Sequence, residues 1–174
     1  TDSAYAAAQG IEGPFLVTTA DNVLTTSEAV LATMQPLFEG ADASVGLTYR
    51  EAVLAARGEK PGPANKGVGS YRFTDGRFSN CNLYGVRSAD VMNAAELFRE
   101  GGQFAKNRDR LIRAVGLWNV LLISLGLISL DSGMKRLSRR FGVSIAAVRL
   151  ADGSQAVDVD SFRTYDFAEK ILKQ

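Results

Sequence analysis

The sequence contains no histidine and a single cysteine, Cys81. The absence of histidine excludes imidazole acid–base catalysis, serine–histidine triads and histidine-ligated metal centres. A single cysteine excludes an intrachain disulfide, which is typical of intracellular chains, and we therefore expect a cytoplasmic protein. Any chemistry must use carboxylates, a bound cation, or lysine and arginine side chains as electrostatic clamps.

Long apolar runs and a large net charge are also lacking. The longest apolar run, 114–130, contains glycines and is shorter than the roughly 20 residues of a spanning helix, so we expect no membrane span. The net charge of +1 gives no indication of a nucleic-acid partner. With 46% hydrophobic and 22% charged residues, the 174 residues are typical of one globular domain covering 1–174.

Hydrophobic patterning and turn signals predict an α/β chain. The predicted strands are 15–19 (buried on both faces), 43–49, 69–73, 77–80, 83–87, 143–150 and 155–159. The predicted helices are 26–34 (ending before Pro36), 88–100, 108–125, 131–142 and 162–172. Because strand–helix units alternate with hairpins, the order predicts an α/β sandwich with a mixed sheet.

The first candidate site residue is Asp21, which follows the first predicted strand. Open α/β sheets bind ligands at the carboxyl ends of their strands. A carboxylate there could hold a Mg²⁺ ion that bridges the phosphates of a nucleotide, because hard oxygen ligands suit that cation. The alternative is that Asp21 only ends the strand or caps the next turn.

A second acidic segment lies near the C-terminus, where Asp158 and Asp160 alternate with valines. In a strand this spacing places both side chains on one face. Two like charges on one face are costly unless a cation or a basic group neutralises them, so a metal or phosphate site is one interpretation. The other is that Asp160 or Ser161 caps the last helix.

Segments 13–24 and 156–161 together resemble nucleotidyltransferases with the nucleotide-diphospho-sugar transferase fold, of the molybdenum cofactor guanylyltransferase-like kind. The resemblance implies a three-layer α/β/α sandwich with a mixed, mainly parallel sheet. It also implies that Asp21 and Asp160 are catalytic and bind the divalent metal, Mg²⁺. The sequence departs from the family at 162–164, where Phe-Arg-Thr stands in place of the usual Pro-Glu-Asp.

Three further residues are candidates for substrate binding. Asn80 and Asn82 lie where the family has a substrate-facing strand, and their amides can hydrogen-bond a phosphorylated acceptor. The alternative is a turn in which they satisfy their own backbone. Lys106, beside a glycine-rich turn, could clamp phosphates, although surface lysines are commonly only solvated.

The resemblance implies transfer of a nucleotidyl group from an NTP to a phosphorylated acceptor, with release of pyrophosphate. The alternative is a non-catalytic binding or regulatory domain that retains the fold. Members of the family begin with a strand, a glycine-rich turn and a helix, for which 1–13 is too short. We therefore expect an N-terminal segment of about 70–80 residues to be missing. The sheet left uncovered at 15–19 would be a candidate surface for oligomer formation.

Overall fold

The computed structural model describes residues 6–60, 62, 68–94 and 116–173. In these ranges the strands are β1 (Phe15–Val17), β2 (Ala43–Tyr49), β3 (Tyr71–Phe73), β4 (Gly76–Val86) and β5 (Ile145–Leu150). The α-helices are α1 (Ser27–Phe38), α2 (Arg50–Ala56), α3 (Ala89–Ala94), α4 (Leu117–Ser124), α5 (Leu130–Phe141) and α6 (Phe162–Leu172), with a 3₁₀ turn at Gly153–Ala156. The predicted α/β class is confirmed.

The strands form one mixed sheet in the order β1–β4–β2–β5, and β3 forms a hairpin with β4. β4 is antiparallel to β1, β2 and β3, whereas β2 and β5 are parallel. Four strands therefore share one direction, and β4 is reversed. Because the reversed strand lies between β1 and β2, most of the pairings are antiparallel although most of the strands point the same way.

Helices cover both faces of the sheet, as the three-layer prediction requires. On one face, Ser44 of β2 donates a hydrogen bond to the Thr33 carbonyl of α1. On the other face, Leu47 of β2 packs with Leu130 of α5. Neighbouring strand positions point to opposite faces, so α1 and α5 lie on opposite sides of the sheet. None of the helices in the described ranges has the length and apolar character needed to cross a membrane.

A further apolar cluster closes the carboxyl end of the sheet. It joins α2, the 3₁₀ turn and α6 through Val53, Leu54, Val157 and Ala168, all of which are buried. Leu24, from the loop that follows β1, completes this cluster. The cluster holds the loop after β1 against the C-terminal segment, and this packing positions the candidate site.

The strand predicted at 83–87 is not separate, because β4 continues through it by way of a bulge. Val45 pairs with Tyr84 but Leu47 pairs with Asn80, so β4 contains two extra residues at this point. Asn82 lies inside the bulge with a φ of 52°, a left-handed conformation that asparagine tolerates better than most residues. Bulges re-aim side chains, and this one directs Asn82 toward the C-terminal segment.

Four other elements differ from prediction. The segment 155–159 is not a strand: it begins in the 3₁₀ turn and continues as extended chain without a sheet partner in the described ranges.

α1 continues past Pro36, whose missing N–H removes only one hydrogen bond near the helix end. Gly116, with a φ of 90°, directly precedes α4, so the described part of the helix predicted over 108–125 begins at Leu117, and residues 108–115 lie outside the described ranges. β1 is shorter than predicted and half-buried, because it lies at the end of the strand order.

Candidate functional site

The exposed Asp21 follows β1 in a turn at the carboxyl end of the sheet. The Val159 N–H donates a hydrogen bond to the Asp21 carbonyl oxygen at 2.9 Å. This bond holds the turn against the segment that contains Asp158 and Asp160. The structure therefore brings together the two acidic segments that the sequence indicated.

Asp158 is the most perturbed carboxyl group of this site. The Asn82 side-chain amide donates a hydrogen bond to its Oδ1 at 2.9 Å. Partial burial raises the pKa of Asp158, and the negative charges of Asp21 and Asp160 raise it further, against the lowering effects of Asn82 and Arg57. Within the described ranges, none of the salt bridges involves the three aspartates. Among the described residues, the site is therefore a concentration of negative charge that no ion pair compensates.

The N-cap of α6 is Ser161. Its hydroxyl accepts a hydrogen bond from the Thr164 N–H at 3.3 Å, and the Thr164 hydroxyl accepts one from the Ser161 N–H at 3.1 Å. These reciprocal bonds form a capping box. The Asp160 carboxylate is left exposed and accepts only a long hydrogen bond, 3.3 Å, from the Thr164 hydroxyl. The Asp160 N–H also donates to the Thr164 hydroxyl at 3.2 Å, so the backbone of Asp160 takes part in the cap while its carboxylate stays exposed.

The two asparagines of β4 have different surroundings. The Asn80 Oδ1 accepts a hydrogen bond from the Asn82 N–H at 3.1 Å, and its amide donates to Asn82 Oδ1 and to the Tyr84 hydroxyl. Asn80 therefore stabilises the bulge itself, as the turn interpretation expects. Asn82 contacts Asp158 and lies within the acidic site. The third predicted binding residue, Lys106, lies outside the described residues.

Two buried side-chain amides, those of Asn22 and Gln155, anchor the loop that carries Asp21. Neither residue was predicted from the sequence. Asn22 donates a hydrogen bond to the Cys81 carbonyl of β4 at 2.6 Å. Gln155 donates to the Leu24 carbonyl at 2.9 Å and accepts from the Thr26 N–H at 3.2 Å. Both amides bind backbone groups far away in the sequence, so no local pattern marks them. Asn22 thus ties the turn to β4, and Gln155 holds the chain that follows the turn.

Arg57 is the basic residue that contributes to this site. It follows α2, whose Val53 packs in the same cluster as Val157. Its positive charge lowers the pKa of Asp158. Its Nε is buried and has no hydrogen-bond partner among the described residues. A buried donor without a partner is uncommon in proteins.

Whether Mg²⁺ suits this site depends on which side chains could be its ligands. Among the described residues, no group of three or more aspartate, glutamate, cysteine or histidine side chains is arranged to hold a metal ion. Mg²⁺, however, usually binds to one or two carboxylates and completes its shell with water and substrate phosphates. The exposed carboxylates of Asp21 and Asp160 fit that mode of binding and do not fit a closed structural metal site.

Comparison with known proteins supports the fold. No family model matches the sequence, and no curated protein matches it. The chain is similar to a solved structure described as a hypothetical transferase from Thermus thermophilus, with a TM-score of 0.75 and 27% sequence identity. The match covers 92% of this chain and 66% of that protein. The likeness confirms an α/β fold of the transferase-like kind.

Substitution of Asp158 by asparagine is expected to raise the free energy of unfolding at pH 7 by up to about 1 kcal/mol. The pKa of Asp158 is raised above its usual value of 3.8, so the folded state favours the protonated carboxyl group. That preference stabilises the fold fully below pH 3.8 and is lost as the pH rises through the raised pKa. Asparagine resembles the protonated form and can still accept the hydrogen bond from Asn82.

The measurement is urea unfolding of the wild type and of Asp158→Asn at several pH values from 3.5 to 7. The difference in the free energy of unfolding between Asp158→Asn and the wild type should shrink as the pH falls, because the wild-type Asp158 becomes protonated. Asp90→Asn, at an exposed position on α3, serves as the matched control and should show no comparable gain. A gain of the same size at every pH would contradict the electrostatic explanation.

Proposed function

We propose that the protein is a Mg²⁺-dependent nucleotidyltransferase, which transfers a nucleoside monophosphate group from an NTP to a phosphorylated acceptor. The observation that carries the proposal is the contact between the Asp21 turn and the 158–160 segment, where the charges of Asp21 and Asp160 act on Asp158 and no salt bridge involves the three aspartates among the described residues. It occurs at the carboxyl end of the sheet, where open α/β folds bind ligands. The similar fold of a hypothetical transferase supports the transferase class.

In this proposal Asp21 and Asp160 hold the cation, which supplies charge neutralisation at the transferred phosphate. Asn82 fixes the Asp158 carboxyl group through the 2.9 Å hydrogen bond, and so keeps a third negative charge beside the cation ligands. The positive charge of Arg57, which already acts on Asp158, offsets part of the negative charge of the substrate phosphates. Lys106 and Asn80 remain proposed substrate-binding residues.

The chemistry needs no covalent bond to the protein. An oxygen of the acceptor phosphate forms a bond with the α-phosphorus of the NTP, and the bond between that phosphorus and the α–β bridging oxygen breaks. Pyrophosphate leaves with the electron pair. The residues of the site act by positioning the reactants and by offsetting charge, as is general in phosphoryl transfer. The absence of histidine is compatible with such a mechanism.

We also propose that the complete NTP site includes a segment packed beside β1. The strand order ends at β1, and the three residues of this strand are only half-buried. A strand edge of this kind presents backbone groups that can pair with another strand, either of a longer chain or of a second copy.

The test is thermal denaturation of the protein with and without Mg²⁺ and each of the four NTPs. At 100 times the Kd, a ligand stabilises the native state by about 2.7 kcal/mol, which raises the Tm of a chain of this size by roughly 5–10 °C. Mass spectrometry then identifies the product formed from NTP and candidate acceptor phosphates. We expect Mg²⁺-dependent stabilisation and pyrophosphate release. No shift with any nucleotide would favour a non-catalytic binding domain.

A further inference from the structure

The outer side of α4 is apolar and exposed. No charged residue occurs in this helix, and its Ile123 packs inward, against the apolar cluster on the sheet. Trp118, Leu121 and Leu125 are spaced three and four residues apart and lie on the side of the helix opposite Ile123. Their exposed fractions are 73%, 42% and 51%. Isolated exposed apolar residues are common, but a row of them along one helix marks an interaction surface.

The neighbouring helix, α5, adds positive charge to this side of the molecule. Leu130 and Met134 of α5 pack in the same cluster as Ile123, so both helices cover the same face of the sheet. Lys135 and Arg139 are exposed and four residues apart, on the side of α5 away from that cluster. Among the described residues, no salt bridge involves either of them. The outer surface is thus apolar along α4 and cationic along α5.

A cleft beside α5 is a second, independent feature of this surface. It has a volume of about 620 Å³, and its walls come from three separate parts of the fold. Lys135, Ser138 and Arg139 form one wall, and residues 40–41 and 144–146 form the others. Within the described part of the chain, no carboxylate lines this cleft. Two cations beside a concave surface without acidic groups attract an anion.

The occupant of this surface must match both its apolar and its cationic part. In an isologous contact with a second copy, the cations would face themselves, and Asp131, the acidic residue of α5, is already paired with Arg149 at 2.9 Å. A free phosphate ion would leave the apolar row of α4 in water. An anionic phospholipid bilayer offers phosphates to the cations and an apolar layer to α4, and tryptophan is enriched at such interfaces.

We propose that the α4–α5 surface, formed by Trp118, Leu121, Leu125, Lys135 and Arg139, binds peripherally to anionic phospholipid membranes. The lipid phosphates lie against the two cations, and the apolar row of α4 enters the interfacial region of the bilayer. None of these residues belongs to the acidic site. Membrane binding therefore does not depend on nucleotidyl transfer.

Trp118 is the single tryptophan of the sequence, so the fluorescence of the protein reports directly on α4. The experiment titrates the protein with vesicles of equal parts phosphatidylglycerol and phosphatidylcholine, and with vesicles of phosphatidylcholine alone. We expect the emission maximum to move to shorter wavelength with the anionic vesicles only, because the indole ring leaves water. High salt should weaken this binding, because it screens the attraction between the cations and the lipid phosphates.

Co-sedimentation with the anionic vesicles gives the Kd of charge variants. Lys135→Gln combined with Arg139→Gln should weaken binding by about 30-fold, because each basic side chain near an anionic membrane contributes about 1 kcal/mol. Lys170→Gln combined with Lys173→Gln is the matched control, because these are exposed cations at the end of α6. The control should bind as the wild type does.

The apolar row has its own pair of variants. Leu121→Gln combined with Leu125→Gln should weaken binding by about tenfold, because less apolar surface enters the bilayer. The matched control is Leu31→Gln combined with Leu172→Gln, at leucines of α1 and α6 that are 70% and 66% exposed. Thermal unfolding checks that each variant is folded, which is expected because all the substituted side chains are exposed.

Three results would overturn the proposal. The first is an unchanged Trp118 emission with anionic vesicles, or an equal change with neutral ones. The second is an equal loss of binding in the test and control variants. The third is a stable dimer in sedimentation equilibrium that Leu121→Gln combined with Leu125→Gln dissociates, which would assign the surface to a second copy of the chain.

Discussion

Replacement of Asp21 or Asp160 by asparagine is expected to lower Mg²⁺-dependent turnover by about a thousandfold, which corresponds to about 4 kcal/mol of lost charge stabilisation. Both carboxylates are exposed, and they belong to segments joined by the hydrogen bond from the Val159 N–H to the Asp21 carbonyl. Asparagine keeps the size of the side chain but removes the charge that attracts the cation. The fold should be as stable as the wild type or slightly more stable, because repulsion with Asp158 is relieved.

Binding and turnover need separate measurements in this experiment. Mn²⁺, followed by the loss of its free EPR signal, serves as the probe of the cation site, and pyrophosphate release measures turnover. Glu39→Gln is the matched control, because Glu39 is an exposed carboxylate that follows α1 and bonds to Gln35, away from Asp21. Wild-type Mn²⁺ affinity in both aspartate variants would refute the proposed ligands.

Several elements were predictable because their signals are local. The alternation in 43–49 predicts β2 with the bounds that the structure has. The cap at Thr26 marks the start of α1 through its hydrogen bond from the Ala29 N–H. Ser161 marks the start of α6, even though the following residues depart from the family's motif, because Thr164 completes the capping box. In each case the deciding contact lies within a few residues along the chain.

Other predictions were wrong because contacts between residues far apart in the sequence decide the structure of those segments. The alternation of 155–159 predicts a strand, but a strand needs a neighbour to complete its hydrogen bonds. Gln155 instead binds backbone groups of Leu24 and Thr26, some 130 residues away, and the segment follows those contacts into the 3₁₀ turn. The bulge at Asn82 likewise depends on the pairing of β4 with β2, which the sequence of β4 alone does not contain.

The candidate site was only partly predictable for the same reason. The two acidic segments predicted Asp21 and Asp160 as ligands, and that assignment stays a prediction, although the structure does bring the two segments into contact. They did not identify Arg57, which reaches the site only because α2 packs against the segment around Val157. The metal and the substrates stay predictions, and Lys106 lies outside the described residues. The motif thus predicted the carboxylates of Asp21 and Asp160, whereas only the tertiary structure shows that Arg57 lies near Asp158.

That packing makes a second large effect predictable, at Gly153 in the buried 3₁₀ turn. A Cβ atom at this position would lie 2.1 Å from the carbonyl carbon and oxygen of Ala52 and 2.4 Å from the backbone nitrogen of Val53. These are backbone atoms of α2, so the clash can be relieved only by moving the helix or the turn. Gly153→Ala is therefore expected to destabilise the fold by about 3 kcal/mol or more, the upper range for overpacked sites.

The measurement is thermal and urea unfolding, in which a loss of about 3 kcal/mol lowers the Tm by roughly 10 °C for a chain of this length. Gly69→Ala is the matched control, because a Cβ atom there meets nothing within 4 Å. The same displacement should disturb Arg57, which follows α2, and Asp158, which follows the turn, so the Mn²⁺ affinity of Gly153→Ala should also fall at temperatures where the protein remains folded. Wild-type stability in Gly153→Ala would show that α2 and the turn are not packed as closely as the structure places them.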